Sequence, residues 1–541
     1  MSDDFATLIK HQEQLAAKRT NWDSWWQDIA YRVMPASAQF TTTSMEGERR
    51  TERLFDSTAC FANERFAAVM DDLLTPRTQM WHMIGPEQDE LAKSQAVKEY
   101  FEEVNKLLFT MRYRPTANFA SQKHKGYLSV GAFGNSCLFI DEQISRLYSG
   151  PRYLQFHMSE VFWAQNQHGV VDTLYRRFPW SAGNAFKRFG DALPEKIRNA
   201  ARDNPFQEFE FLHCVRPNED MKEGRVDYTG MPFQSWYGAC DGQAIIERSG
   251  YTSWPFAIGR YILAPNETYG RSPAMAAWPA IMTMNEEKKT VLRAGQKEVD
   301  PPLLLTEDGV LEAFNMRSSA LNFGALSNDG TPLVAPLKIG ANIPLGLELM
   351  QLERQHIEDS FLVSIFKILA ENPQMTATQV LEIAQQKATL LAPVMGQQHS
   401  EDLGPLIARE IDIAQKAGRL PEMPPELEEA GARYKIEYRS PLARAMRAQD
   451  GVAIMRTFEA LPAAIQLDPD SAYVIDVKGS MRELAEVTGL PAKFIRDDKA
   501  IARILEQKTE QEQAATAAAV VPEMASAALD AAKAEQIRRT P

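Results

Sequence analysis

The sequence predicts an α+β, helix-rich chain in which a long helical hairpin carries a small α/β insert at its tip. Two helical segments, 267–300 and 344–366, flank a compact stretch, 301–343, punctuated by Pro and Gly. Residues 1–266 mix alternating stretches with helical ones and read as an α+β lobe. Residues 376–440 and 441–510 are mostly helical, and an Ala/Gln-rich tail, 511–541, follows them.

The first arm of the hairpin starts at Ser272-Pro273. Ser is a good N-cap, and Pro fits the first helical position, where a missing N–H costs nothing. Pro279 falls inside the pattern and should kink the segment or restart it. Ile281, Met284, Val291, Leu292, Gly295 and Val299 then share one side at helical spacing, and Glu286, Lys289, Arg293 and Lys297 share another. Asp300-Pro301-Pro302 stops the helix, because a residue before Pro is pushed out of the α region. The straight part, Ala280 to Val299, is about 20 residues and so roughly 30 Å long. In the insert, Leu303–Leu305 and Leu333–Ile339 read as strands, and Ser327-Asn328-Asp329-Gly330 as a turn. The second arm opens at Pro344. Leu345, Leu349, Leu352, Ile357, Phe361, Ile365 and Leu369 form its apolar stripe. Glu371-Asn372-Pro373 breaks it, and Thr376 with Gln379 fits a capping box that opens another helix. A stalk of this kind suits a ring of identical subunits, whose paired helices line a shared channel, better than a single globular enzyme.

Three stretches resemble the portal, or head-to-tail connector, family of short-tailed, podovirus-type bacteriophages. They are DSTACFANERFAAVMDDLLTPRTQMW (56–81), the ETYGRSP to NPQMTATQVLE region around the hairpin, and YKIEYRSPLARAMRA (434–448), in the order the family has them. The resemblance runs from Phe5 to Ile504. It implies a portal fold: a wing (1–266), a first stem helix (267–300), a clip (301–343) and a second stem helix (344–366). A channel loop (367–375), a long helix returning to the wing (376–440), a helical crown (441–510) and a flexible tail (511–541) complete it. It also implies a ring of twelve copies at one capsid vertex, a channel for genome packaging and ejection, and a virion component assembled in the host cytoplasm. The partners it implies are other copies of the chain, the major capsid and scaffolding proteins, a tail adaptor and a terminase motor. Double-stranded DNA would pass through non-specifically. Glu286, Lys289, Arg293 and Lys297 are the candidate channel-lining residues of the stem. Lys367, Glu371, Asn372 and Gln374 are those of the loop, and Asn315, Arg317, Asn328 and Asp329 are candidates for docking at the clip. Pro279 departs from a continuous first stem helix.

The bulk properties fit. A chain of 541 residues with 44% hydrophobic content can bury several cores. Ser2-Asp3-Asp4 lacks the pattern of a signal peptide. No apolar run approaches the roughly 20 residues of a membrane span. Cys60, Cys137, Cys214 and Cys240 stand far apart and read as buried thiols in a reducing compartment. A net charge of −13 argues against simple adhesion to nucleic acid. It is compatible with a conduit, since each phosphate neutralised adds grip, and DNA must slide.

Along the wing, Asp3–Met34 reads as a helix ended by Pro35. Its Trp22, Trp25, Trp26 and Ile29 should pack on a core or a neighbouring subunit. Flanking acids disfavour a membrane-surface role. Ala36–Arg53 reads as a loop, Leu54–Leu74 as a helix and Gln79–Ile84 as a strand. Asp89–Leu108 and Asn118–Leu128 read as helices. Gly126, Gly131 and Gly134 lack the Lys-Ser/Thr of a phosphate loop and mark a glycine turn into the strand Ser136–Asp141. Tyr153–His157, Val161–Gln165 and Val170–Phe178 read as consecutive strands of one antiparallel sheet. Trp180–Phe189 and Glu195–Arg202 are short helices, and Phe209–Arg216, Phe233–Tyr237 and Phe256–Leu263 are strands. Beyond the hairpin, Arg433–Tyr438 reads as a strand returning to the wing. Arg444–Leu461, Met481–Thr488 and Lys493–Lys508 read as helices.

The sequence offers no chemistry to place in a site. The eight histidines form no HExxH or ligand-spaced cluster, and there is no GxSxG elbow. His356 reads as a solvated or interface residue. A DNA pump needs a phosphate-binding loop, which this chain lacks, so a separate motor must power packaging. The chain is therefore read as a non-enzymatic ring with no metal and no cofactor. A non-viral helical scaffold or adaptor is the alternative function, and a hydrolase with an unrecognised site is a second.

Overall fold

The computed structural model describes residues 5–43, 45–88, 90–144, 149–222, 224–305, 342–363, 392–438 and 475–488, with shorter runs within 317–340, 451–462 and 501–511. The chain divides into two compact units, Met1–Trp81 with Leu108–Arg419, and His82–Leu107 with Leu420–Pro541.

The first unit is built on two sheets. Strands β2 (Asn135–Ile144), β3 (Ser149–Phe156) and β9 (Phe256–Arg260) form one, in the order β3-β2-β9. The other is fully antiparallel and runs β4 (Val161–Gln165), β5 (Val171–Ser181), β6 (Glu208–Pro217), β7 (Phe233–Ala239), β8 (Ala244–Tyr251). Side chains alternate between its faces, as the two-residue period of a strand requires. Phe209, Phe211, Tyr237 and Ala239 point to one face, where helices α5 (Ala182–Phe189) and α6 (Glu195–Asp203) bring Ala182, Ala185 and Ile197. Leu212, Cys214 and Trp236 point to the other, against Phe5 and Leu8 of α1 (Phe5–Val33). Each such large apolar side chain gains roughly 1.5–3 kcal/mol over its exposed state.

The reading of β3, β4 and β5 as one sheet is wrong: β3 pairs with β2, and β4 begins a different sheet. The reason lies on α1. Arg19, 2% exposed, donates to the carbonyls of Met158 (2.9 Å), Ser159 and Val161, while its Nε lies 2.9 Å from Asp23 Oδ1. A guanidinium takes the carbonyls that a continuing strand would have used. The tryptophan patch on α1 packs inward as expected. Trp26 is fully buried, and the Tyr269 ring lies tilted 6.0 Å from Trp22 and edge-on 5.4 Å from Trp26. Trp180 belongs to β5, and α5 starts after Ser181, whose side chain caps it. Strand β8 escaped the sequence reading because its half-buried AIIERSGY lacks a clean alternation.

Helix α2 (Thr58–Leu74) starts later than Leu54, where Asp56 Oδ1 takes the N–H of Thr58 at 2.8 Å. Helix α4 (Phe119–Phe133) runs through Gly126 and Gly131, so the expected glycine turn reduces to Gly134. A Cβ on Gly131 would sit 2.1 Å from Asn63 Oδ1, which is how closely α4 lies on α2. Gly134 ends α4 at φ +75°, with its N–H on Val130 O at 2.9 Å. Here the ETYGRSP stretch is tied in. Asn135 Oδ1 accepts Gly270 N–H at 2.8 Å, and its Nδ2 donates to Gly270 O at 3.0 Å.

In the second unit, β1 (His82–Pro86) pairs antiparallel with β12 (Tyr434–Tyr438), His82 opposite Tyr438. Helix α3 (Gln95–Arg112) contributes Asn105 to this unit, where it makes both backbone hydrogen bonds to Ile84, at 2.9 and 3.0 Å. The strand over Arg433–Tyr438 is therefore present, but its partner is β1. Residues 82–107 leave the single lobe expected over 1–266. Helices α11 (Pro425–Glu429) and α12 (Val477–Thr488) also belong to this unit. The readings at residues 364–391, 439–450, 463–474, 489–500 and 512–541 lie outside the described residues.

Gly134→Ala should cost at least about 2 kcal/mol. It forces a left-handed φ on Ala and puts a methyl 2.4 Å from Gly270 O. Denaturant unfolding monitored by tryptophan fluorescence checks this, against Gly169→Ala, a left-handed glycine with nothing within 4 Å.

Candidate functional site

The hairpin grows from the lobe through a broken first arm. Ser272 Oγ accepts Met275 N–H at 3.0 Å and caps α7 (Pro273–Ala276), and the helix restarts as α8 (Trp278–Val299) with Pro279 in its first turn. Pro279 thus restarts the helix, and Asp300 caps its end. Ile281 and Met284 are buried. Asn285, 4% exposed, fastens the polar segment before α2 to the stalk. Its Oδ1 accepts Phe55 N–H at 2.8 Å and Asp56 N–H at 3.3 Å, and its Nδ2 donates to Arg53 O at 3.2 Å.

The insert carries the expected strands as a short antiparallel pair, β10 (Leu303–Leu305) with β11 (Val334–Pro336). Gly330, at φ +77°, returns its N–H to Ser327 O at 2.9 Å and makes the expected turn. The second arm, α9 (Ile343–Ser360), is capped by Asn342 Oδ1 on Leu345 N–H. It ends before the expected 366, because Leu362 takes a left-handed φ of +60°. Phe361, buried against Phe66, and Glu358, 3.5 Å from Arg65, dock its foot on α2. The apolar stripe of this arm divides. Ile357 and Phe361 are buried, whereas Leu345, Leu349 and Leu352 are exposed. Ile365 and Leu369 lie outside the described residues.

Of the candidate residues, Glu286 and Lys289 form the local pair their spacing implies, Oε2 to Nζ at 3.3 Å, and Lys289 stands 5.5 Å from the Phe55 ring. Arg293 and Lys297 are exposed further along α8. Burial, with the Glu353 carboxylate beside it, holds the neighbouring Glu287 above the ordinary carboxylate range. Arg317 is exposed, and Asp329 is exposed in the turn of the insert. Asn315, Asn328, Lys367, Glu371, Asn372 and Gln374 lie outside the described residues.

A second constellation was not legible in the sequence. Residues 392–398 are helical, His399–Leu403 make one π turn, and α10 (Gly404–Lys416) continues. Acids on this helix meet buried bases of the lobe. Arg112, fully buried, binds Glu410, with Nε 2.9 Å from Oε1. Lys123 pairs with Asp402, and Arg260 Nε lies 2.6 Å from Glu401 Oε2. Arg409 Nη1 is 2.7 Å from Asp412 and 3.2 Å from Ser253 Oγ. Tyr153 donates to Glu410 as well. Burial works against the Arg112 charge, and Glu410, with Tyr153 and Tyr113 beside it, more than offsets it. The partners of the first three pairs are 298, 279 and 141 positions apart, so no local pattern announces them. These groups neutralise one another. Among the described residues no cluster of His, Cys, Asp or Glu could hold a metal ion, and no helix is long and apolar enough to cross a membrane.

A family model for bacteriophage head to tail connecting protein matches residues 6–495. The chain is 27% identical over 533 residues to the probable portal protein of Bordetella phage BPP-1, covering 96% of this chain and 94% of the relative. It is 23% identical over 521 residues to the portal protein of Salmonella phage epsilon15, covering 95% and 92%.

Glu410→Gln should destabilise the lobe by about 3–5 kcal/mol, since it leaves the Arg112 charge buried without its counter-ion. Asp241→Asn, which breaks the exposed pair with Lys196, should cost less than about 1 kcal/mol. Paired denaturation curves measure the contrast.

Proposed function

Because the chain belongs to the bacteriophage head-to-tail connecting proteins, its function is that of a phage portal, and we propose that it closes into a ring of twelve copies at one capsid vertex. The match over residues 6–495 carries this reading and displaces a non-viral scaffold or adaptor. In the ring, the α8–α9 hairpin is the stem, residues 301–343 are the clip, and 1–266 supply most of the wing. Residues 367–375 are the channel loop, 441–510 the crown and 511–541 the tail. The clip docks a tail adaptor or the terminase motor, with Arg317 and Asp329 exposed and with Asn315 and Asn328 as further candidates. The wing meets the major capsid and scaffolding proteins. Assembly takes place in the host cytoplasm.

The part is mechanical and not enzymatic. Double-stranded DNA is driven in by a separate motor and leaves by the same channel. A sliding polyanion needs a wall that repels adhesion without gripping, because each phosphate held by a fixed cation adds about −0.9 to the salt slope of binding. The stem stripe is tuned that way. Glu286 sits beside Lys289, and only Arg293 and Lys297 extend the basic charge. Lys367, Glu371, Asn372 and Gln374 give the loop the same mixed character.

Native mass spectrometry of the purified chain at micromolar concentration in mild salt should show a closed oligomer without DNA. Monomer alone would sink the ring. The triple change Lys289→Gln, Arg293→Gln and Lys297→Gln should alter DNA packaging or retention while shifting affinity for free duplex by less than about threefold. Tight wild-type binding with a steep salt slope that the triple change flattens would instead mark the stem as a phosphate grip.

A further inference from the structure

The hairpin presents two apolar surfaces that the described residues leave uncovered, and they differ in shape. One is a groove of about 750 Å³ beside the end of α8, with Val291, Leu292, Gly295, Val299, Pro302 and Ile343 as its apolar lining and Gln296, Lys297 and Asp300 as its polar edge. Its floor is open, since a Cβ on Gly295 would meet nothing within 4 Å. Val299 on its rim is 87% exposed. The other is a ridge on α9 made by Leu345, Leu349 and Leu352, which are 51%, 44% and 54% exposed.

Ridge and groove lie on opposite sides of the stalk. Ile343 borders the groove, and the three ridge leucines stand roughly 180–240° round α9 from it, at about 100° per residue. They overlap in height. Gly346 packs on Val291 inside the hairpin, so the start of the ridge is level with the start of the groove. Their lengths agree too, at about 10 Å for the ridge and about 12 Å for the groove from a 1.5 Å rise per residue. Charge agrees as well. Helix α8 carries four bases against three acids, a formal +1, and α9 carries one base against four acids, a formal −3.

Resting on the portal reading above, we propose that the occupant of the groove is a second copy of this chain: the α9 leucine ridge of one subunit seats in the α8 groove of the next. Complementary surfaces on opposite faces cannot pair with themselves across a two-fold axis. They join head to tail, and head-to-tail contacts at overlapping height close into a ring. Of the charged stripe of α8, Lys289 and Arg293 lie on the far side of that helix from Val291 and Gly295 and stay outside the contact, whereas Lys297 lines the groove, where the acidic α9 of the next subunit arrives.

Disulfide trapping tests this in the full-length chain with Cys60 and Cys240 changed to Ser. Leu292→Cys and Leu345→Cys together should give, on oxidation, a non-reducing ladder that climbs past dimer to the full ring. Either change alone should give no ladder. A ring by native mass spectrometry with no ladder, or with dimers only, overturns the ridge-in-groove contact and leaves the portal reading standing. Monomer alone in the parent protein overturns both. As a second measure, Gly295→Trp should fill the groove and reduce the oligomer at least tenfold at micromolar concentration, with the circular dichroism of the folded monomer kept. A ring that tolerates the tryptophan also overturns the proposal.

Discussion

Buried charge holds the first unit together. The helix that runs from 392 through the π turn to Lys416 sets carboxylates among buried apolar side chains such as Leu403, Leu406 and Ile413, and Glu401, Asp402 and Glu410 would be costly to bury alone. Arg260, Lys123 and Arg112 come from β9, α4 and α3, so one helix ties three distant elements into one body. Such pairs are a weak source of net stability, because desolvation consumes most of the Coulomb gain. Their effect is on uniqueness. A helix shifted by one residue would bury each acid without its base, and that alternative is closed. Single π turns concentrate at functional positions. Here the turn places Glu401 and Asp402 next to each other in sequence on two separate bases.

A rigid lobe matters because the hairpin itself is lightly held. Its foot is fixed by Asn285, by Ile281 and Met284, and by Phe361 with Glu358 on α2. Beyond the foot the two arms cover one another only along one side, which leaves leucines in water. Exposed apolar rows of this size on an isolated stalk are a liability unless something covers them. The same geometry serves a portal. In the ring proposed above, a stalk apolar toward its neighbours and mixed in charge toward the duplex would let the subunits cohere without gripping what moves through them.

The ETYGRSP stretch shows how a short motif can be structural. Tyr269 fills the space between Trp22, Trp26 and Trp163. Gly270 lies against Gly134, Arg271 stands over Trp22 and Trp25 while paired with Glu267, and Ser272-Pro273 starts the first arm. Seven residues thus join the aromatic patch of α1, the junction of α4 with β2, and the base of the stalk.

Local patterns by themselves determined the elements: the α+β mixture, both arms with their Ser272, Pro273 and Pro344 starts, the Pro279 restart, the strand pair of the insert, and the Glu286–Lys289 pair. Each rests on caps, prolines or spacing within one or two turns, where local sterics and hydrogen bonding decide the outcome. The motif order also carried the family. What only the tertiary structure decided is which elements meet. That β3 and β4 part company depends on Arg19 in another element taking the carbonyls between them. That β12 pairs with β1 in a separate unit depends on a register across some 350 positions. The lobe is locked by carboxylates whose bases lie 141–298 positions away. Leu345, Leu349 and Leu352 read as part of an apolar stripe and stand in water, since periodicity marks a face as apolar without naming what covers it. Pairing between distant segments has no signature in either segment alone, because its energy comes from burial and charge neutralisation that exist only once the two are together.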